Sequence, residues 1–185
     1  MEIKLEFFEN LREPGYLKAV WEILCECDNE FFPPLSVRRS TFQSALQHEE
    51  NHEDLPYSYY EEIIKQPLIL ALNKESGKTV GFMTFIHNYS CSELKGFSPS
   101  NYISTICVRK SARNQGITRQ FYKMIQSETI PSQFRMPFLS TRTWSTNSSH
   151  LHILETLGFV VSARLIDHRG QGIDTIYLAK KVHFT

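Results

Sequence analysis

Residues 106–118 of the sequence read ICVRKSARNQGIT. The segment begins with the apolar, β-branched residues of a strand, passes through a short basic loop that ends at Gly116, and enters an amphipathic helix. The first turn of a helix leaves N–H groups unpaired and carries positive potential, and a glycine lets an anion approach the main chain closely. The segment therefore predicts an anion-binding turn. An ordinary strand–helix turn with solvated basic residues is the alternative.

Other phosphate and metal motifs are absent from the sequence. There is no G-x-x-x-x-G-K-[ST], and the turn lacks the three glycines of a dinucleotide fingerprint. The four cysteines include one C-x-C pair, Cys25 and Cys27, but no C-x-x-C and no second pair at zinc spacing. We therefore expect reduced, mostly structural cysteines and no metal site.

The pattern on either side of the turn predicts one α/β domain over residues 1–185. Alternating and apolar runs predict seven strands, at 1–8, 68–72, 79–87, 102–108, 138–144, 159–166 and 173–182. Helical spacing or capping patterns predict helices that begin near Pro14, Ser40, Ser58, Ile117 and Ser149. This order of elements predicts a mixed sheet flanked by helices.

Composition and charge exclude several classes of protein. The 185 residues are 41% hydrophobic and 22% charged, as in an ordinary globular domain. Twenty basic and twenty acidic residues give a formal net charge of +0, so no overall field attracts nucleic acid. No apolar run approaches the ~20 residues that cross a bilayer, and the first residues are not a secretory signal. We expect a cytoplasmic protein with neither nucleic acid nor membrane as partner.

A second motif, NSSHLHILETLGF, occupies residues 147–159. The two motifs together resemble the GNAT superfamily of acyl-CoA-dependent N-acetyltransferases. The strand-to-helix motif of that family reads roughly V-x-x-x-x-[RQ]-x-x-G-x-[GA], and its later motif reads N-x-x-A-x-x-L-Y-x-x-L-G-F. The first is matched by Val108, Arg113 and Gly116, with Thr118 at the last small position, and the second by Asn147, Ile153, Leu157, Gly158 and Phe159.

The resemblance implies the GNAT fold, a twisted mixed sheet of about seven strands whose fourth and fifth strands splay apart, with acetyl-CoA as co-substrate. It implies that main-chain groups of the fourth strand bind the pantetheine arm and that N–H groups of the turn hold the pyrophosphate. Asn147 is expected to contact the pantetheine amide or the adjacent helix start. The residues expected to bind the coenzyme are Ile106, Cys107, Val108, Arg113, Asn114, Gln115, Gly116, Ile117, Thr118 and Asn147.

The sequence departs from the family at the positions of its acid and base. The usual acid is a tyrosine four residues before the glycine of L-G-F, and here that residue is Leu154. Coenzyme A leaves as a thiolate whose pKa of ~8.5 makes it a stable leaving group, so the loss of this acid need not abolish turnover. His150, one turn earlier, is the candidate acid, with packing at the helix start as the alternative. Arg142 stands where some members carry a glutamate, so Tyr102 is the candidate proton acceptor, with a buried structural tyrosine as the alternative.

The acceptor is expected beside the end of the first helix. There Glu30 and Phe31 combine a carboxylate with an aromatic surface, which suits a cation with an apolar body, although a charged helix end beside a core phenylalanine is the alternative. Arg142 instead suits an acceptor carboxylate. An amino acid, a peptide terminus, a polyamine and an aminoglycoside therefore all remain open.

The resemblance implies direct attack of a primary amine on the acetyl thioester while both substrates are bound. The expected partner is a small-molecule or peptide amine, and a homodimer stays open. The departures at Leu154 and Arg142 favour a second class, a catalytically inert acyl-CoA-binding or regulatory module on the same fold. An interaction protein without coenzyme is a third.

Overall fold

A computed structural model describes residues 1–43, 46 and 54–184 of the chain. The strands are β1 (Ile3–Phe8), β2 (Leu68–Asn73), β3 (Thr79–Tyr89), β4 (Ser100–Val108), β5 (Phe138–Trp144), β6 (Val160–Leu165) and β7 (Thr175–Lys181). The helices are α1 (Pro14–Cys27), α2 (Tyr57–Ile63), α3 (Ile117–Met124) and α4 (Ser148–Thr156). Within the described ranges, no helix combines the length and the apolar character that crossing a membrane requires.

The seven strands form one mixed sheet in the order β1-β2-β3-β4-β5-β7-β6. β4 and β5 are parallel, and every other neighbouring pair is antiparallel. A parallel pair needs a crossover connection, and α3 lies in the chain between these two strands. The predicted mixed sheet flanked by helices is confirmed.

Apolar residues on both faces of the sheet are covered by helices. α1 and α2 bury Ile23, Leu24 and Ile63 against one face, in a cluster that includes Phe82 of β3. α3 and α4 cover the other face with a second cluster, whose fully buried members include Phe121, Tyr122 and Leu154. The helices are amphipathic because each packs one side on the sheet and leaves the other in water.

The predicted strands agree with the observed ones to within two residues at each end. The helices predicted to begin near Ser40 and Ser58 are not both described by the structure. The helix predicted to start at Ser58 begins at Tyr57 without a side-chain cap, so that capping assignment was wrong. The helix predicted from Ser40 falls mostly on 44–45 and 47–53, outside the described residues. Gln43 Oε1 does accept from the N–H groups of Arg39 and Ser40, at 2.8 and 3.1 Å, which is half of the predicted capping arrangement.

A bulge in β4 lies at Ser104, directly after the last residue of β4 that pairs with β5. Thr84 of β3 pairs with Thr105, and Phe85 pairs with Ile103, so Ser104 is left without an opposing residue. The Ser104 hydroxyl lies 2.8 Å from Thr84 Oγ1, and it donates to Gln66 Oε1 at 2.6 Å. These contacts hold the extra residue in place.

Gly81 of β3 allows β3 and β4 to approach closely just before the turn. A Cβ at this position would lie 2.9 Å from Cys107 O and 3.2 Å from Val108 Cγ2. Because the closer atom belongs to the main chain, Gly81→Ala should lower the free energy of unfolding by about 1–3 kcal/mol, measured by urea denaturation. Gly15→Ala in α1, where a Cβ meets nothing within 4 Å, is the control and should be neutral or stabilising. Wild-type stability in Gly81→Ala would contradict the expected clash.

Candidate active site

β4 and β5 pair with each other over only a short length. Their pairing begins at Asn101 and Leu139 and ends at Ile103 and Thr141. Both strands continue beyond these residues without pairing to each other. The two strands therefore separate, as the resemblance implied, and one edge of β4 is open.

Successive residues of β4 point their main-chain N–H and C=O groups alternately toward β3 and toward this open edge. Arg109 N donates to the carbonyl of Val80 at 2.8 Å, so residue 109 faces β3. Alternate residues of an antiparallel strand turn both main-chain groups toward the same neighbour. Cys107 consequently also faces β3, whereas Ile106 and Val108 face the opened side. The resemblance implied that the main chain of Ile106, Cys107 and Val108 binds pantetheine. Ile106 and Val108 turn their main chain to the open side, whereas for Cys107 we correct this assignment, because its main chain faces β3 and the residue lines the second cavity.

Two cavities lie along the open edge and share part of their lining. The first, of about 270 Å³, lies between the separated strands and the start of α4. The second, of about 700 Å³, lies between the end of β4, the turn that follows it and the first residues of α3. Their shared lining residues are Glu30, Phe31, Ile106, Thr118, Ser149 and Ile153. The two cavities are therefore adjacent, and together they are called the channel below.

The turn between β4 and α3 leaves the helix start open. Asn114 and Gly116 both adopt left-handed conformations, with φ of 61° and 70°. Both line the second cavity together with Ile117 and Thr118, whereas Gln115 does not. No side chain in the described part of the chain caps α3, and a Cβ on Gly116 would meet nothing within 4 Å there. The unpaired N–H groups of the first turn are therefore available to an anion.

The basic residues of the turn are paired with acidic residues at the end of α1. Arg109 Nη2 lies 2.8 Å from Glu22 Oε2, and Lys110 Nζ lies 3.8 Å from Glu30 Oε1. Arg113 donates to both oxygens of Glu30, at 3.0 and 2.7 Å, and this hydrogen bonding raises the pKa of Arg113. The basic character of the loop alone would suggest that these cations add charge to the anion site. Their charge is instead largely compensated, so the site depends on main-chain donors.

His150 lines the first cavity and contacts Tyr122. Its Nε2 lies 3.0 Å from Tyr122 OH. Burial lowers the pKa of His150 to about 4, so its ring is neutral at pH 7, and burial raises the pKa of Tyr122. A neutral ring is neither a cationic acid nor a strong base. The acid role of His150 stays a prediction, in the form of a neutral N–H donor aligned by Tyr122.

Leu154, which occupies the position of the family's tyrosine, does not line the first cavity. It is fully buried in the cluster under α3 and α4. Three other residues of α4 line that cavity, namely Ser149, His150 and Ile153.

Tyr102 lies away from the cavity. It is 1% exposed, its ring centroid lies 4.5 Å from that of Tyr89, and it lines neither cavity. Burial raises the pKa of Tyr102 well above its ordinary value, so the phenol stays neutral. A neutral phenol without access to the cavity is a poor proton acceptor, and we correct the sequence-based assignment of Tyr102 as base for that reason.

Asn147 caps α4 at the wall of the first cavity. Its Oδ1 accepts from His150 N at 3.3 Å, and its Nδ2 donates to Thr143 Oγ1 at 3.1 Å. Of the two roles that the resemblance implied, the structure therefore shows the contact with the helix start. A contact with pantetheine stays a prediction.

The residues predicted to bind the acceptor meet at the first cavity. Glu30, Phe31 and Arg142 all line it. Trp144 lies beside them, with its ring centroid 6.0 Å from that of Phe31. The sequence analysis did not identify Trp144 as a site residue. Its position at the end of the predicted fifth strand, two residues after Arg142, was the one available indication that it lies at the cavity.

The buried ring of His150 makes stability dependent on pH. An unfolded histidine takes up a proton below pH ~6.5, and the folded ring does so only near pH 4, so the free energy of unfolding falls as pH drops through this interval. His150→Gln should therefore lose about 2 kcal/mol less than wild type between pH 7 and pH 5, measured by urea denaturation. His152→Gln, at an exposed position of the same helix, should keep the wild-type dependence. Parallel curves for wild type and His150→Gln would refute the buried neutral ring.

Solved acetyltransferase structures share this fold. An N-acetyltransferase from Staphylococcus aureus Mu50 superposes with a TM-score of 0.65 at 13% identity, covering 99% of this chain and 100% of that one. The NatC complex bound to Gag peptide and CoA gives a TM-score of 0.62 at 15% identity, covering 99% and 100%. The proposed acetyltransferase yncA from Salmonella typhimurium, solved with acetyl-CoA, gives 0.63 at 13% identity, covering 99% and 95%.

Sequence comparison assigns the family. A comparison with curated proteins finds no significant match. The model of the acetyltransferase (GNAT) family matches residues 17–159, which span both motifs, the open edge of β4 and the start of α3. The chain belongs to the GNAT family of acetyl-CoA-dependent N-acetyltransferases.

Proposed function

We propose that this protein transfers the acetyl group of acetyl-CoA to a primary amine by direct attack within a ternary complex. The observation that carries the proposal is the early end of the β4–β5 pairing, which opens the edge of β4 onto two adjacent cavities. One cavity leads to the free N-terminus of α3, and the other leads to the polar and aromatic residues beyond the separated strands.

The channel fits coenzyme A in three respects. Pantetheine is a chain of amides, and Ile106 and Val108 turn main-chain donors and acceptors toward the open side of β4. The pyrophosphate needs hydrogen-bond donors, and α3 begins without a side-chain cap. The left-handed Gly116 leaves the space before the helix unfilled. The thioester would then lie between the separated strands.

The residues around the two cavities can assist the reaction in distinct ways. The bound coenzyme supplies an activated acetyl thioester. The N–H of Val108 can donate to the thioester oxygen, where negative charge develops during attack. A neutral N–H of His150 can donate toward the departing sulfur. The channel walls hold both substrates in contact, which removes much of the entropic cost of the encounter.

A second candidate function is an inert acyl-CoA-binding module. It is favoured by Leu154, which is buried where many family members carry the acid, and by the absence of a free carboxylate among the lining residues of the first cavity, where Glu30 is paired with Arg113. Loss of the acid slows a thiol-leaving reaction less than other acyl transfers because the thiolate is already a stable leaving group. We therefore favour the enzyme.

Thiol release from acetyl-CoA with a mixed panel of amines separates the two functions. We expect turnover with at least one amine, detected by a thiol reagent and by mass spectrometry of the product. Coenzyme A at ~100 times its Kd should stabilise the protein by about 2.7 kcal/mol. Stabilisation without turnover of any amine would favour the inert module, and the absence of both would refute a coenzyme site.

Gly116→Glu tests the placement of the pyrophosphate. The variant puts a carboxylate before α3, where it opposes a diphosphate, and we expect the Kd for coenzyme A to rise by ~10-fold or more in calorimetry. Gly77→Glu is the matched control, because Gly77 also has a positive φ, of 67°, and open space, in the turn between β2 and β3. Both variants bear the conformational cost of a side chain at positive φ, and Gly116→Glu alone should lose affinity. Equal affinities for the two variants would remove the assignment.

A further inference from the structure

Three arginines from separate parts of the chain lie beside the first cavity, two of them buried and Arg142 half-buried. Arg38 precedes α2, Arg142 lies on β5, and Arg169 lies in the loop before β7. Arg38 and Arg169 are 6% and 5% exposed. Arg142 lines the cavity itself.

Arg38 and Arg169 are held by the segment that follows α1. Arg38 donates from Nε and Nη2 to Pro33 O, at 3.0 and 2.7 Å. Arg169 donates from Nη1 to Phe32 O, the carbonyl of the residue before Pro33, and from Nε to Thr175 Oγ1 at 2.9 Å. These contacts use neutral acceptors, so they fix the guanidinium groups without neutralising their charge.

Aromatic rings connect these two arginines to the cavity. The guanidinium carbon of Arg38 lies 5.5 Å from the ring centroid of Phe31, and that of Arg169 lies 5.5 Å from the ring centroid of Trp144. Phe31 and Trp144 both line the cavity. The positive charge therefore lies directly behind the cavity's aromatic wall.

Arg142 is the member of the cluster that reaches the cavity. Its Nη1 donates to Tyr177 OH at 3.3 Å and its Nη2 to Thr41 O at 3.4 Å, both long for such bonds. Its Nε has no hydrogen bond to any residue in the described part of the chain. Arg142 thus retains donor capacity at the cavity wall.

The cluster has no ion-pair partner among the described residues, although Asp28 acts on Arg38, and Glu93 on Arg142, from a longer distance. None of the three arginines has a carboxylate within 4.0 Å there, and the nearby buried Asp28 accepts a hydrogen bond from Ser36 N at 2.7 Å. Burial first, and then the neighbouring guanidinium groups, lower the pKa of Arg169 to about 9. Burial likewise lowers the pKa of Arg38 to about 10. Buried charges without partners are costly, and an anion in the cavity would reduce that cost.

We propose that the acceptor is a small primary amine that also carries a carboxylate, and that Arg142 binds this carboxylate with Arg38 and Arg169 supplying charge behind it. This inference rests on the proposed acetyltransferase function and names its substrate class. The planar guanidinium fork matches a carboxylate, and a cavity of about 270 Å³ suits a molecule of amino-acid size. Polyamines and aminoglycosides would bring further positive charge to a cationic wall whose guanidinium groups have no ion-pair partner in the described part of the chain.

The test compares amino acids with their primary amides, which differ in that one charged group. Each of the twenty amino acids and its amide is offered with acetyl-CoA at fixed ionic strength. We expect kcat/KM to be ~10-fold or more higher for the preferred acid than for its amide, chiefly through KM. Arg142→Gln should reduce this acid-to-amide ratio toward 1, and Arg142→Lys, which keeps the charge without the fork, should restore part of it. Equal ratios in wild type and Arg142→Gln would overturn the proposal.

Binding without turnover provides an independent readout. The preferred acid should raise the melting temperature of wild type more than its amide does, and Arg142→Gln should lose this difference. Arg12→Gln, which removes an exposed arginine bonded to Asn10, is the charge-matched control and should retain it. Stabilisation by coenzyme A and the circular dichroism spectrum establish that each variant is folded. If no amine is acetylated, the proposed function fails, and the acid-specific stabilisation still decides whether Arg142 binds a carboxylate.

Discussion

The end of β-sheet pairing between β4 and β5 is the constraint on which the rest of the site depends. Main-chain groups of a buried strand need partners, and beyond Ile103 the groups of β4 on the β5 side have none within the sheet. Arg113 satisfies the carbonyl of Val108 at 3.2 Å. The remaining open edge becomes a surface that an extended ligand with amide groups can pair with. The bulge at Ser104 lies directly at the point of separation.

The two ends of the channel offer an anion different groups: main-chain N–H groups at the start of α3, and guanidinium groups beyond the separated strands. At the start of α3 the basic side chains are compensated by carboxylates at the end of α1, so main-chain N–H groups and the helix dipole are what an anion meets. Beyond the separated strands the reverse holds, because buried guanidinium groups have neutral partners. A diphosphate and a carboxylate would therefore bind at opposite ends of the channel through different chemistry.

The departures from the family motif have a consistent structural reason. Leu154 fills the core under α3 and α4, where its apolar side chain packs without a polar group to satisfy. The titratable group of α4 that lines the cavity is instead His150, one turn earlier and in contact with Tyr122 of the neighbouring helix. In the same way, Arg142 replaces a carboxylate and gives the cavity wall the opposite charge.

The sequence by itself determined the element order, the seven strands, the strand–turn–helix at residues 106–118 and the identity of the family. These features are local, because periodicity, a glycine at a turn and an apolar helix face are set by neighbours in the chain. It also placed Glu30, Phe31 and Arg142 near one another by resemblance. The sequence did not determine which charged side chains pair with an opposite charge.

Charge compensation was decided by tertiary structure alone. Arg113 and Glu30 are 83 residues apart, and their pairing depends on α1 packing beside the end of β4. Arg38 and Arg169 carried no signal in the sequence, since neither belongs to a motif and both come to the cavity through loops that bond to the carbonyls of Phe32 and Pro33. Burial of Tyr102 likewise followed from its contact with Tyr89 across two strands. Long-range packing sets which polar groups lose their water, and no local pattern in the sequence records it.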